Sequence, residues 1–156
     1  MKKGKRMATP EEVALDMFEK RDLIRATKRN YVCAKRDEIY DRLVQAKASQ
    51  DVKAVRRLRG QLRECEKRMA VIDVQESEDH LCATQTQLAM LEKAIKESRN
   101  LSERTFLMKR AEEKENDVFD ASIGLRDSKA RLAQFNSPKA KKKTRRKKVV
   151  SCDATR

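Results

Sequence analysis

Between Val55 and Ile72 the residues Val55, Leu58, Leu62, Cys65, Met69 and Ile72 follow one another at steps of 3, 4, 3, 4 and 3. That spacing lines six apolar side chains along one narrow stripe of a helix, and the stripe leaves water only when another helix covers it. The phase slips near Asp73–Ser77 and a second stripe resumes as Leu81, Thr84, Leu88, Leu91 and Ile95. A slip of this kind is expected to change the local winding of a coiled coil. Charged residues make up 41% of the chain and aromatics 4%, which is too little bulk for a broad core and suits narrow seams between helices. Strand-like alternation is absent, and no apolar run approaches the roughly 20 residues of a membrane span.

Helix boundaries can be read from capping chemistry. Thr9-Pro10-Glu11-Glu12 combines a cap, a proline suited to the first helical position and a glutamate that completes a capping box. The first helix is expected to run from there to about Ala48. Its seam is Val32, Ile39, Leu43 and Ala46, with Leu15 and Phe18 near the start. Asp22, Arg25 and Arg29 fall on the same seam, which predicts a middle part that is loosely packed or faces a partner. Ala48-Ser49-Gln50-Asp51 interrupts the pattern, and Asp51 is a good N-cap for the next helix. Asn100-Leu101-Ser102-Glu103 reads as a further N-cap with its glutamate three residues on. The third segment carries Leu101, Met108, Ala111, Val118, Leu125, Leu132 and Phe135 on a broken seam. Asn136-Ser137-Pro138 stops it. Gly60, inside the second helix, either admits a close neighbour or is simply tolerated.

The expected fold is all-α: an elongated antiparallel helical hairpin over residues 9–99, a third helical segment over 100–136, and disordered basic ends at 1–8 and 137–156. Folding about a bend near residues 49–51 sets residues facing each other whose numbers add to about 99. Asp37, Glu38 and Asp41 then face Arg57, Arg59 and Arg63. Lys20, Arg21 and Arg25 face Asp73, Glu78 and Asp79. The same sum brings Cys33 near Cys65. Reduced thiols are the expectation for an intracellular chain, with an oxidative cross-link as the sharper alternative.

The net charge of +14 is concentrated at the ends. Residues 1–10 carry +4 and residues 137–156 carry +8, leaving +2 for everything between. Within the tail, Lys139, Lys141, Lys142, Lys143, Arg145, Arg146, Lys147 and Lys148 place eight cations in ten residues. Such a run displaces counterions from a phosphate polymer with little regard to sequence. It also resembles a nuclear import signal, and acidic lipid head groups would satisfy the same charges. Ser137-Pro138 resembles a proline-directed phosphorylation site, where a phosphate would oppose the tail. His80, the one histidine, and the four scattered cysteines build no metal set of familiar spacing, and no cofactor or small-molecule substrate is expected.

Residues 11–108 resemble the ESCRT-III membrane-remodelling family in having a basic first helix, a tight bend and a longer second helix. That second helix carries Asp51-Val52 and Gln87-Leu88-Ala89-Met90-Leu91. The resemblance implies polymerisation on acidic membranes through the first helix. The chain departs from that family in being short and in ending basic rather than acidic.

The leading expectation is a non-enzymatic coiled-coil scaffold or complex subunit, homo- or hetero-oligomeric. Its packing residues are Val32, Ile39, Leu43, Val55, Leu58, Leu62, Met69, Leu81, Leu88, Leu91 and Ile95. Its tail contacts nucleic acid or another acidic surface, with the nucleus as the expected location.

Overall fold

A computed structural model describes residues 8–137. Three helices occupy them: α1 (Pro10–Ala48), α2 (Val52–Glu97) and α3 (Leu101–Asn136). The fold is all-α, and no strand occurs among the described residues. The basic arm and the basic tail, apart from Ala8 and Ser137, lie outside the described residues. Helix α2 is the spine. It packs against α1 and against α3, whereas α1 and α3 do not pack on each other. Both partners run antiparallel to it, and its 46 residues span about 69 Å.

The caps form as their chemistry requires. The Thr9 hydroxyl accepts from the Glu12 amide at 3.2 Å, and the Glu12 carboxylate accepts from the Thr9 amide at 2.8 Å. At the other end of α1 the Asp51 amide donates to the Ala46 carbonyl at 3.0 Å and the Gln50 amide to the Lys47 carbonyl at 3.2 Å. This pair of bonds is a Schellman motif, with Gln50 in the left-handed region at φ 57°. Asp51 closes it and at once caps α2, its carboxylate accepting from the Ala54 amide at 2.9 Å. Two helices are therefore joined by three residues. Glycine relieves the left-handed strain, so Gln50→Gly is expected to raise stability by about 0.5–1 kcal/mol, measured by thermal unfolding. Between α2 and α3, Asn100 accepts from the Ser102 amide at 2.9 Å, and Ser98 donates to the Glu103 carboxylate at 2.9 Å. The break near residue 100 is thus a capped turn, and the third segment folds back along the spine.

The register of the hairpin lies at or slightly above the expected sum of about 99: Arg21 meets Asp79 at a sum of 100. Arg29 meets Asp73 and Arg25 meets Asp79, which are sums of 102 and 104. The offset follows from side-chain direction. Side chains on a helix tilt toward its N-terminus, so those of α1 lean away from the tip and those of α2 lean toward it. Each lean of about one residue moves the facing pair outward, adding about two to a sum centred on Gln50.

The slip near Asp73–Ser77 marks the appearance of a second seam, for a second partner, on α2. Leu58, Cys65 and Ile72 lie in one core with Val32, Ile39, Leu43 and Ala46 of α1, flanked by Ala54, Val55, Leu62 and Met69. Ala70, Val74 and Thr84 are equally buried but stand outside that core. They belong to the other side of α2, where Ser77 shares a hydrogen bond with Ser128 of α3 at 3.0 Å and Glu78 pairs with Lys129 at 3.0 Å. Heptad steps from Ser77 reach Leu81, Leu88, Leu91 and Ile95, all half-buried. One helix thus carries two seams on nearly opposite faces. The expected rewinding of a single seam is replaced by two overlapping seams: α1 stays paired with α2 through Asp73, Glu76 and Asp79 while α3 covers the other face.

The seam of α3 is also more regular than expected. Its covered residues are Leu107, Ala111, Lys114, Val118, Ala121, Leu125, Ser128, Leu132 and Phe135, at unbroken steps of 4 and 3. Leu101 and Met108, expected on it, are 80% and 55% exposed. Ala111, expected on the seam, is buried, and so are the small Ala121 and Ser128, which an apolar pattern passes over. Gly60 is not a close-approach site either: a Cβ there would meet nothing within 4 Å. Its cost to α2, about 1 kcal/mol relative to alanine, has no packing reason.

Candidate interaction surfaces

The middle of α1 is neither loose nor vacant. Arg25 is 8% exposed and donates to both Asp79 of α2 and Asp22 of its own helix. Arg21 reaches Asp79 at 3.3 Å, and Arg29 bridges Asp73 at 2.8 Å and Glu76. Burial opposes the charge of Arg25, but the bonds to Asp79 and Asp22 outweigh it and hold its pKa above the ordinary value. Arg29 is raised in the same way by Asp73 and Glu76 against its own desolvation. The middle part, expected to be loosely packed or to face a partner, is closed within the hairpin because the stripe of α2 turns acidic at the level where the stripe of α1 turns basic. One of the two expected charge blocks is realised in part. Asp73 takes Arg29, and Glu78 turns to α3. The other block, Asp37, Glu38 and Asp41 against Arg57, Arg59 and Arg63, forms no pair. Arg36 holds Asp37 at 3.0 Å and Arg42 holds Glu38 within α1.

Three further surfaces follow from this frame. Along the outer side of α1, Val13, Met17, Ile24 and Tyr31 are each about half exposed or more and recur at steps of 4, 7 and 7. Tyr31 and Val32 continue this stripe into an open groove of about 610 Å³ whose far wall is Val71 and Ile72, with Lys28, Lys67 and Arg68 on its rim. Between α2 and α3, His80 lines a groove of about 490 Å³ with Lys114, Asp117 and Asp120. The serine of that groove, Ser77, is committed to the Asp73 carbonyl and to Ser128. Among the described residues no cluster of metal ligands occurs.

The third surface is electrostatic. Residues 42–63 hold Arg42, Lys47, Lys53, Arg56, Arg57, Arg59 and Arg63 against Asp51 alone, a net +6. Asp51 is engaged in capping. Apart from Arg42, these cations form no ion pair among the described residues. Residues 73–120 carry a net −5. The folded body is a charged dipole, with its positive pole at the hairpin tip. Sequence reading missed this because summing the body to +2 averaged the two poles. Counting charge in windows of about 20 residues would have found it.

Comparison with known proteins adds no relative: no family model, no curated protein and no solved structure matches this chain.

The residues singled out in the sequence are distributed as follows. Val32, Ile39, Leu43 and Leu58 are buried in the α1–α2 core, and Val55, Leu62 and Met69 pack against it. Leu81, Leu88, Leu91 and Ile95 are half-buried along α3's side of the spine. Cys33, Cys65 and Cys82 are free thiols. With the observed register, Cys33 stands level with about Met69, one turn from Cys65. Ser137 caps α3, its hydroxyl donating to the Ala133 carbonyl at 3.1 Å. Lys139, Lys141, Lys142, Lys143, Arg145, Arg146, Lys147 and Lys148 lie outside the described residues.

Proposed function

We propose that the protein is a non-enzymatic helical scaffold that holds nucleic acid through its cationic tail while its helices engage protein partners. The observation that carries this reading is the contrast between arginines tied up inside the hairpin and a cationic run whose sequence holds no acid. Arg21, Arg25 and Arg29 are tied to carboxylates of α2. The eight cations of residues 139–148 have no acidic residue among them. A dense cationic run binds phosphate polymers by counterion release. A nuclear location fits both that ligand and the import-like run of the tail. The membrane-remodelling alternative needs a basic first helix free to face lipid, and the arginines in the middle of α1 are instead turned inward.

The test is equilibrium binding of the full chain to DNA, RNA and anionic vesicles over a salt series. Steep salt dependence with nucleic acid is the expected result. Binding to vesicles alone overturns the reading. The protein-partner half rests on the exposed stripe Val13, Met17, Ile24 and Tyr31, which has the spacing of a second helix seam. Ile24→Asp is expected to leave thermal stability within about 0.5 kcal/mol, because the residue is 55% exposed, while dissociating the assembly in sedimentation equilibrium. A wild-type chain that sediments as a monomer and captures no partner helix would remove this half.

A further inference from the structure

We propose that the folded tip of the hairpin carries its own phosphate-binding surface, built by Arg56, Arg59 and Arg63 of α2 with Lys53 at its edge, and that it grips the backbone of nucleic acid. The inference rests on the reading of the chain as a nucleic-acid scaffold, and it adds a site within the folded body.

Arg56, Arg59 and Arg63 line one shallow concavity together with Val52, Val55 and Gly60. None of the three is used in an ion pair among the described residues. Their position on α2 explains why they are free. The stripe that faces α3 runs through Thr84, Ser77 and Ala70, and heptad steps continue it toward the tip as Lys67, Arg63, Gly60, Arg56 and Lys53. α3 ends at Asn136, and the Ser77–Ser128 pair sets that end level with about Ala70. The stripe therefore changes from apolar or small to cationic where its covering helix stops. A seam built for another helix would have stayed apolar; this one is built for a polyanion.

Three features select nucleic acid over other acidic partners. Lys53, Arg56, Arg63 and Lys67 lie in a line that spans about 21 Å, with Arg59 beside it in the same concavity. Duplex DNA presents a negative charge about every 1.7 Å of its axis, so every cation of the line finds a phosphate. Arginine predominates, and its planar fork binds phosphate oxygens two at a time. Gly60 sits on the same stripe between Arg56 and Arg63, with open space where a side chain would be. It weakens the helix without serving packing, and it leaves the floor bare for a polymer backbone to approach. A lipid surface would call for apolar side chains to enter the bilayer, and Val52 and Val55 are the only ones in the concavity. The tail departs from the same half of the rod: Ser137 is level with about residue 68, about 27 Å from the tip. Both cationic surfaces can thus lie along one polymer.

The experiment uses the full chain with a random-sequence DNA duplex of about 20 base pairs, measuring the slope of log K against log salt. Three proteins are compared: wild type, a tip variant (Arg56→Gln, Arg59→Gln, Arg63→Gln) and a tail variant with the eight cations of 139–148 changed to glutamine. Each lost phosphate contact lowers the slope by about 0.9, so the tip variant is expected to lose about 2–3 and to bind at least ~10-fold more weakly at 0.1 M salt. Circular dichroism monitors the fold, and a second tip variant with lysine at all three positions keeps the charge and is expected to retain most of the slope. An unchanged slope in the folded tip variant, with a reduced slope in the tail variant, overturns the inference and leaves the scaffold reading intact. A reduced slope in the tip variant with an unchanged tail variant supports the tip and overturns the tail. Wild-type protein that binds phosphatidylserine vesicles or polyglutamate but not the duplex overturns both.

Discussion

Glutamine at all eight cationic positions of residues 139–148 is expected to lower the salt slope of duplex binding by as much as about 7 and to weaken binding by ~10³-fold or more at 0.05 M salt. Binding of this kind needs no fixed side-chain geometry in its cationic run. Counterions condensed on DNA are released one for each phosphate neutralised, and the gain depends on cation number and local density rather than on side-chain geometry. The +8 tail has one acidic residue, Asp153, so almost none of its charge is cancelled locally. The opposite pole of the body, residues 73–120 at −5, competes weakly by comparison with a nucleic acid. At 0.5 M salt the difference between wild type and variant is expected to shrink, since each Debye length is then only about 4 Å. Loss of affinity that persists undiminished at high salt would point to a shape-specific contact and would sink the counterion account. Phosphorylation at Ser137 would act in the same direction by adding about −2 beside the run, and it would meet a hydroxyl already engaged in ending α3.

Much of the architecture was legible because it rests on local rules. The caps at Thr9, Asp51 and Asn100 are short-range hydrogen-bond devices, and all three helices begin where those residues stand. The seam from Val55 to Ile72 repeats every seven residues, and it is the α2 half of the principal core. What was not legible depended on three dimensions. A one-seam reading of α2 cannot distinguish a rewound coil from a helix with two partners, because both look like a phase slip in one sequence. The facing pairs spread from the sum read off the bend to about five above it, because the lean of side chains on a helix has no signature in composition. The α3 seam was read as broken because Lys114, Ala121 and Ser128 do not look like core residues. Small side chains at those positions let two helices approach, and Lys114 can cover the seam with its stem while its amine reaches Asp117 at 2.7 Å. The tip surface was hidden by arithmetic on too long a window.

Removing Asp79 is expected to destabilise the fold by about 3 kcal/mol, close to the lower end for breaking a buried ion pair. The side chains of Arg25 and Asp79 are 9% and 16% exposed, so water offers neither a full substitute. In Asp79→Ala, Arg25 keeps Asp22, whose side chain is 63% exposed, and its Nε already has no partner. Arg21 loses its bond as well. For a chain of this size the expected shift in thermal midpoint is about 6–12 °C. The companion experiment separates attraction from desolvation. Replacing both residues, Arg25→Leu with Asp79→Leu, removes the buried charges together and joins apolar surface in the seam, so the double variant should be as stable as wild type or more stable. Its cost should appear in the alignment of α1 on α2. Between Val32 and the half-buried Phe18 and Leu15 the α1 seam carries Asp22, Arg25 and Arg29 in place of apolar residues, and there the pairs of Arg25 and Arg29 with Asp73, Glu76 and Asp79 help distinguish one heptad register from the next. Spin labels at the exposed residues Lys20 and Gln87 should give one narrow distance distribution in wild type and a broader one in the double variant. A double variant that is stable and equally narrow would show that the apolar residues of the seam suffice to align α1 on α2, and that the buried ion pair contributes stability alone.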